Sequence, residues 1–286
     1  MSTKKKSQRR IEGKHTTVVK NIISCILVLY TFISIYLIGM TVLNSFKTKS
    51  ELINNTMGFP KAVTLDNFLQ VIVEDEFLRY LLNSVILVVA SVFCLCLVSS
   101  MLSYALAHYQ FKGKALLENY FLLGLMFPIQ LGILPLFIML TKVHLNNTLP
   151  GLVLIYTANL SFSTVLFTNF FRGLPKEVLE SAQIDGAGDY QVFTKIVAPI
   201  SKPVISTVGL ISFVQIWNDF YMPLVFLTKK EVKTLTLGIY SYSANFLANW
   251  NKIFAAITIA LIPIIIIYFL FSEQIVEGLT GGAVKG

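Results

Sequence analysis

The chain has 286 residues, of which 55% are hydrophobic and only 13% are charged, and its formal net charge is +8. Soluble globular domains carry about 25% charged residues, so this composition excludes that class and indicates a protein whose main solvent is the lipid bilayer. The positive charge does not indicate nucleic-acid binding, because it concentrates in the amino-terminal tail, residues 1–19, where basic residues are typical of a cytoplasmic flank in contact with anionic lipid.

Six apolar runs follow this tail, each close to the roughly 20 residues that a helix needs to cross a bilayer. They cover residues 20–43, 81–107, 117–140, 149–171, 203–227 and 253–271. An even number of spans places both termini on one side, and the basic tail predicts that this side is the cytoplasm. The short loop 107–115 agrees, since it is basic and has no acid. The lysines at 229, 230 and 233 oppose this orientation, because they fall in a predicted outer connection.

The sequence therefore predicts an all-α integral membrane protein in three parts. These are a basic cytoplasmic tail at 1–19, a six-helix transmembrane domain at 20–272 and a cytoplasmic carboxyl-terminal tail at 273–286. Cys25, Cys94 and Cys96 all lie in apolar runs without histidine partners, so they are interpreted as small core residues and not as a metal site.

A polar stretch, "LESAQIDGAGD", interrupts the apolar sequence inside the segment 172–202, between the fourth and fifth spans. Apolar spacing predicts a short helix over 176–184, and Asp185 to Asp189 has the glycines and acids of a turn. A second amphipathic helix is predicted to follow, up to the prolines at 199 and 203. Two interpretations remain open. The small residues let a partner's backbone approach while Glu180 and Asp185 pair with its donors, or the segment is a solvated loop with a helix on the membrane surface.

Five of the polar residues within the predicted spans are singled out as candidates for a solute pathway or gate, because polar groups in a membrane usually face a bundle interior or water. They are Gln130, Asn159, Gln215, Asn218 and Asp219. The functional interpretation is a position on a solute pathway or gate. The alternative is structural, with these side chains bridging helices or satisfying backbone opened near Pro223.

No catalytic site is predicted. A nucleotide-binding P-loop needs G-x-x-x-x-G-K-[ST], and the nearest stretch, "GGAVKG", has no serine or threonine after its lysine. The three histidines lie in different segments, and the sequence contains no H-E-x-x-H motif.

The stretch "LPKEVLESAQIDGAGDYQVFTKIVAPISKP" resembles the EAA loop of permease subunits of bacterial ABC importers, E-A-A-x-x-x-G followed by I-x-L-P. Glu180, Ala182 and Gly186 match the first part, whereas Ser181 and Ala198 replace an alanine and a leucine of the pattern. "WNDFYMPLVF" and the tail "GLTGGAVKG" are similar to the carbohydrate branch of this family, specifically the maltose-type second permease subunit.

This resemblance implies a permease of the bacterial cytoplasmic membrane that imports a carbohydrate, an oligosaccharide or related glycoside. It also implies three partners: a second permease in a heterodimer, a cytoplasmic ATPase dimer that binds the ATP and Mg²⁺, and an extracytoplasmic sugar-binding protein. The residues that it assigns to ATPase coupling are Glu180, Ser181, Ala182, Asp185, Gly186 and Ala187, with Gly281, Gly282 and Lys285 of the tail as a further contact. No cofactor is expected in this chain.

Two other functions remain open from the sequence. One is a secondary transporter driven by an ion gradient, in which Asp219 is the coupling carboxylate. The other keeps the ABC machinery and carries a non-sugar solute such as glycerol phosphate. The resemblance itself favours a structural or gating role for Asp219 over a role in choosing the sugar.

Overall fold

The computed structural model describes residues 2–243 and 246–281, with side chains from residue 20 to 271 except at 176, 183 and 246–248. The described residues form helices joined by short loops, in agreement with the all-α prediction. The α-helices are α1 Ser2–Ser45, α2 Lys49–Asn54, α3 Asp66–Leu69, α4 Phe77–His108, α5 Lys114–Gly124, α6 Ile133–Lys142, α7 Leu149–Ala158, α8 Ser161–Arg172, α9 Lys176–Ile184, α10 Asp189–Val192, α11 Ala198–Ile200, α12 Lys202–Asn218, α13 Tyr221–Phe226, α14 Leu235–Ser243 and α15 Phe246–Gly281. Single π-helical turns occupy Gln70–Glu74 and Phe193–Val197, and short 3₁₀ helices occupy Ile129–Gly132 and Lys230–Val232.

Three stretches of helix are long and apolar enough to cross a membrane alone: Lys20–Ser45 within α1, Phe77–His108, and Asn249–Phe271 within α15. Three further pairs pass the same test only together, and each is bent at a break. The pairs are Lys114–Gly124 with Ile129–Lys142, bent by 102°, Leu149–Ala158 with Ser161–Arg172, bent by 48°, and Asp189–Ile200 with Lys202–Asn218, bent by 74°. By length and composition the described helices therefore provide up to six spans.

The predicted run 203–227 is not one helix. α12 ends at Asn218, because Asp219 has extended backbone angles with ψ at 122°, and the six-residue helix α13 begins two residues later. The ends of the chain also differ from prediction. α1 already begins at Ser2, so the basic tail continues into the first span, and α15 begins at Phe246 instead of 253.

Contacts divide the chain into two units, the first formed by residues up to Glu74 together with α15 up to Ile259. Its core includes Lys47, which is fully buried and donates from Nζ to the carbonyls of Asn55, Thr56 and Gly58 at 2.8, 3.2 and 2.6 Å. Asn67 Nδ2 donates to the carbonyls of Ser45 and Lys47, both at 2.8 Å. These bonds satisfy polar groups of the segments that follow α1 and α2, as burial requires.

The second unit, Asp75 to Ser243 with α15 from Ala260, has α4 at its centre, packed against α7, α8 and α12. The buried face of α4 carries small serines, which allow close helix packing in a membrane. They are Ser84, Ser91, Ser99, Ser100 and Ser103. Ser103 Oγ also donates to the Thr164 carbonyl at 3.0 Å, so α4 and α8 are joined by a hydrogen bond as well as by packing.

The segment after α13 is fastened to the start of α4. Asn83 Nδ2 donates to the carbonyls of Glu231 and Lys233, both at 2.9 Å, and the Leu235 N–H donates to Ser84 Oγ at 2.8 Å. The Tyr242 hydroxyl donates to Asp75 Oδ2 at 3.0 Å, and burial together with that carboxylate raises the pKa of Tyr242 above its usual range. This connection is therefore anchored by several polar contacts.

Candidate functional site

A polar cavity of about 300 Å³ lies inside the second unit. Its lining is a mixture of amides, hydroxyls, one carboxylate and a few apolar side chains. The polar residues of the lining are Gln130, Tyr156, Asn159, Ser163, Ser212, Gln215 and Asp219, and the apolar ones are Leu95, Ile129, Phe162 and Ile216. Four of the five polar residues predicted within spans thus meet here. The fifth, Asn218, does not line the cavity, because its Nδ2 donates to the Val214 carbonyl at 2.8 Å.

Three of the lining residues stand where helices are interrupted. Gln130 is in the 3₁₀ turn between α5 and α6, Asn159 follows the last residue of α7, and Asp219 follows the last residue of α12. Irregular backbone at membrane depth is tolerated only where protein or a water-filled cavity surrounds it. These three interruptions and the polar cavity are therefore two aspects of one feature.

Asp219 connects the segments around the cavity. Its Oδ1 accepts from the backbone N–H groups of Tyr221 and Met222 at 2.8 and 3.3 Å, which caps α13. Its Oδ2 accepts from the Tyr156 hydroxyl on α7 at 2.8 Å, and its carbonyl accepts from Thr236 Oγ1 at 3.0 Å. Asp219 therefore satisfies backbone groups near Pro223, as the structural interpretation expects. The same residue also lines the cavity.

Sequence reasoning missed Tyr156, Ser163 and Ser212 as lining residues. The serines are small and look like ordinary packing residues in an apolar run. Tyr156 carried a usable signal, since a carboxylate within a span requires a donor nearby.

A second cavity, of about 380 Å³, lies between α4, α12 and α15 and is lined almost entirely by apolar side chains such as Phe93, Leu210 and Phe271. It offers few partners to a polar solute. Among the described residues, no group of three or more His, Cys, Asp or Glu side chains is placed to hold a metal ion.

The polar stretch between the fourth and fifth predicted spans forms the predicted helix-turn-helix. α9 spans Lys176–Ile184, and Gly186 follows with a φ of +82°, a conformation that suits glycine. The Ala187 N–H donates to the Ala182 carbonyl at 3.0 Å, which completes a Schellman-type end to α9. α10, a π turn and α11 then continue as one helical segment to Ile200. We call residues 176–200 the helix pair.

The residues predicted for coupling separate into two environments. Ala182 is 7% exposed and packs into a hydrophobic cluster of its own chain, and Ala187 packs against the same cluster. The other four, Glu180, Ser181, Asp185 and Gly186, are exposed. Ala182 is thus packed within its own chain, and its role in coupling stays a prediction. Of the predicted tail contacts, Gly281 is the last residue of α15, while Gly282 and Lys285 lie outside the described residues.

The helix pair also exposes two apolar side chains that sequence reasoning did not single out. Ile184 at the end of α9 is 86% exposed, and Tyr190 in α10 is 74% exposed. Glu180 and Asp185 of the same segment are exposed as well, so the helix pair presents both apolar and acidic side chains.

A hydrophobic cluster joins the helix pair to the spans. It contains Tyr104 from α4, Phe167 and Phe171 from α8, and Ala182, Val192 and Val197 from the helix pair, followed by Val204 and Val208 of α12. The Tyr104 ring lies 5.4 Å from that of Phe193 and 6.5 Å from that of Phe171, measured between centroids. Tyr109, just after α4, bonds to Asp189, and its partial burial and this bond raise its pKa above the usual range.

The chain is similar in sequence to known transport proteins. The sequence model of a family described as "Binding-protein-dependent transport system inner membrane component" matches residues 99–280. The chain is 32% identical over 263 residues to the diacetylchitobiose uptake system permease protein NgcG of Streptomyces coelicolor, covering 91% of this chain and 87% of the relative. It is 33% identical over 259 residues to the arabinooligosaccharides transport system permease protein AraQ of Halalkalibacterium halodurans, covering 89% and 92%.

A solved structure has the same fold. A chain from the crystal structure of a bacterial ABC transporter involved in the import of the acidic polysaccharide alginate superimposes with a TM-score of 0.79 at 19% identity, covering 90% of this chain and 96% of that chain. With the apolar helices, the family match and these relatives together, the chain is a multi-pass membrane protein that belongs to the binding-protein-dependent transport system inner membrane components, the permease subunits of ABC transporters.

Proposed function

We propose that this chain is the permease subunit of an ATP-driven importer of a carbohydrate and forms half of the translocation path, with a second permease as the other half of a heterodimer. The observation that carries the proposal is the polar cavity at the breaks of the membrane helices. Transporters place solute sites where discontinuous helices meet near the bilayer midplane.

The chemistry of the cavity suits a sugar. The amides of Gln130, Asn159 and Gln215 each offer donors and an acceptor, and hydroxyl groups do both, so the lining complements a solute rich in hydroxyls. Relatives named for diacetylchitobiose and arabinooligosaccharides support an oligosaccharide as the cargo. An extracytoplasmic sugar-binding protein would deliver it.

We further propose that the helix pair receives the motion of a cytoplasmic ATPase dimer, which binds the ATP and Mg²⁺. Ile184 and Tyr190 supply apolar contact, while Glu180 and Asp185 supply acceptors for the partner. The cluster around Ala182 and Phe171 would carry this motion into α8 and α4, because packed side chains transmit displacement. In this arrangement both termini are cytoplasmic, in a bacterial cytoplasmic membrane, and the tail residues Gly281, Gly282 and Lys285 add a second contact.

The ion-coupled alternative requires Asp219 to exchange a proton or cation. Its carboxylate instead accepts three hydrogen bonds, from Tyr156, Tyr221 and Met222, which favours a fixed structural role. That alternative also gives no role to the exposed surface of the helix pair. A non-sugar solute such as glycerol phosphate is a different cargo for the same machinery.

A crosslinking experiment tests the coupling. The cysteines at 25, 94 and 96 are replaced by serine, and Ile184→Cys is introduced into the importer with its own ATPase in native membranes. We expect a crosslink to an ATPase subunit whose yield changes with ATP. The matched control is Ala182→Cys in the same helix, which is buried and should crosslink poorly. Uptake that continues in cells lacking the ATPase would refute the proposal.

The cargo is tested separately by competition. Uptake of a labelled oligosaccharide by cells that express the complete importer is measured against unlabelled oligosaccharides and glycerol phosphate. Inhibition by glycerol phosphate and by none of the sugars would assign the chain to a non-sugar importer.

A further inference from the structure

We infer that the polar cavity selects neutral solutes and disfavours anionic ones, with the Asp219 carboxylate as the group that sets this preference. The inference rests on the proposed function and narrows its substrate class to uncharged oligosaccharides. It concerns the charge of the cavity and not the identity of the sugar.

The lining explains the preference. Among the described residues that surround the cavity, Asp219 carries the only formal charge, and none is lysine or arginine. The sequence adds that the apolar runs 81–107, 117–140, 149–171, 203–227 and 253–271 contain neither lysine nor arginine. A carboxylate, sulfonate or phosphate on a solute would therefore enter without a cation from this chain to balance its charge, which is costly away from bulk water.

Asp219 would also repel an anionic solute, in addition to the absence of a lysine or arginine that could balance its charge. It is held in the wall by Tyr156 and by the start of α13, so it cannot swing away from an approaching anion. Its three hydrogen-bond donors, the Tyr156 hydroxyl and the N–H groups of Tyr221 and Met222, are neutral groups, so none of them cancels a negative charge on the carboxylate. Selectivity commonly uses such a repulsive element together with attractive contacts. The amides and hydroxyls of the lining then serve the hydroxyl groups of a neutral sugar.

Thiol chemistry tests the charge of the cavity without requiring transport. Asn159→Cys is introduced into the complete importer with cysteines 25, 94 and 96 replaced by serine. Its reaction rates with a neutral hydroxyethyl and an anionic sulfonatoethyl methanethiosulfonate are measured. Each rate is divided by that of 2-mercaptoethanol with the same reagent. A single charge several ångströms away in a partly aqueous site predicts that the anionic reagent is slowed about fivefold relative to the neutral one.

Two further variants assign the effect. Adding Asp219→Asn, which keeps the size of the side chain, should bring the anionic-to-neutral ratio close to that of 2-mercaptoethanol. Adding Tyr156→Phe, which removes a donor and keeps the charge, should leave the anionic reagent slowed. A loss of local structure would change the rates of both reagents alike, so a ratio that returns to that of 2-mercaptoethanol reports the loss of the charge.

The outcomes separate the two proposals. An anionic-to-neutral ratio that is the same with Asp219 as with the Asp219→Asn change would overturn the charge preference, whatever the importer carries. Efficient import of a trisaccharide of uronic acids at the rate of its neutral counterpart would also overturn it. Failure of every sugar to enter would instead overturn the proposed function, while the thiol result would still stand.

Discussion

Asp219 and Tyr156 show how one hydrogen-bonded pair of residues holds the wall of the cavity. Tyr156 is 8% exposed, and its hydroxyl bond of 2.8 Å links α7 to the carboxylate that caps α13. Tyr156→Phe should lower the free energy of unfolding by about 1 kcal/mol, since one bond to a charged acceptor is lost within a membrane domain. The thermal unfolding midpoint of the purified importer should fall. Tyr120→Phe, at a residue 66% exposed, serves as control and should leave the midpoint unchanged.

Gly151 and Gly209 differ in the space that is available for a side chain. A Cβ on Gly151 would overlap the carbonyl of Leu145, whereas a Cβ on Gly209 would lie 3.7 Å from Val92 Cγ1, an ordinary contact. Gly151→Ala should therefore destabilise the protein by about 1–3 kcal/mol, because backbone must move. Gly209→Ala should be neutral or stabilise by up to about 1 kcal/mol through helix propensity. The thermal unfolding midpoints of both variants test this difference. Equal midpoints would contradict the close approach of Gly151 to the Leu145 carbonyl.

The turn after α9 in the helix pair is expected to matter for coupling between ATP hydrolysis and transport. Gly186 has a φ of +82°, while Gly188 has a φ of −71°, and a Cβ at either position would meet no atom within 4 Å. Gly186→Ala should cost about 1 kcal/mol through backbone strain alone and loosen the end of α9. Gly188→Ala should have little effect. We expect fewer sugars imported per ATP hydrolysed only in the first variant, measured in proteoliposomes, and the same yield in both would contradict this role.

The boundaries of this element were predictable, whereas the breaks in the spans were not. Pro175 before α9 and Gly186 after it are local signals with a direct backbone cause, so helix 176–184 was predicted to the residue. Hydropathy does not register a bend, because the sequence stays apolar across the breaks after α5 and α7. The break after α5 did have a local signal in the sequence, since Gly124 and Pro128 lie beside it.

The candidate site was predictable in part, for a similar reason. Polar residues within apolar runs are rare and easily seen, which is why Gln130, Asn159, Gln215 and Asp219 were found. Their convergence depends on how the helices pack. The burial of Ala182 could not be predicted either, because small residues serve equally in a core and at an interface.

The lysines at 229, 230 and 233 are the main argument against the proposed orientation, because basic residues favour the cytoplasmic side and these three lie in a predicted outer connection. The structure supplies compensation for one of them, since Lys230 Nζ lies 3.3 Å from a carboxylate oxygen of Glu76. Orientation is set mainly by basic residues in short segments close to the spans, and the basic tail leads directly into the first one. The balance of charge therefore still supports the proposed orientation, with both termini in the cytoplasm.

That orientation predicts which of two exposed positions reacts from outside the cell. Val143 lies in the loop between α6 and α7 and is 59% exposed, and Ile184 in the helix pair is 86% exposed. In a variant with serine at positions 25, 94 and 96, Val143→Cys should react with a membrane-impermeant maleimide in intact cells. Ile184→Cys should react only after lysis. Because exposure is high at both positions, a difference in labelling reports the membrane barrier, and the reverse pattern would place the helix pair outside, away from ATP.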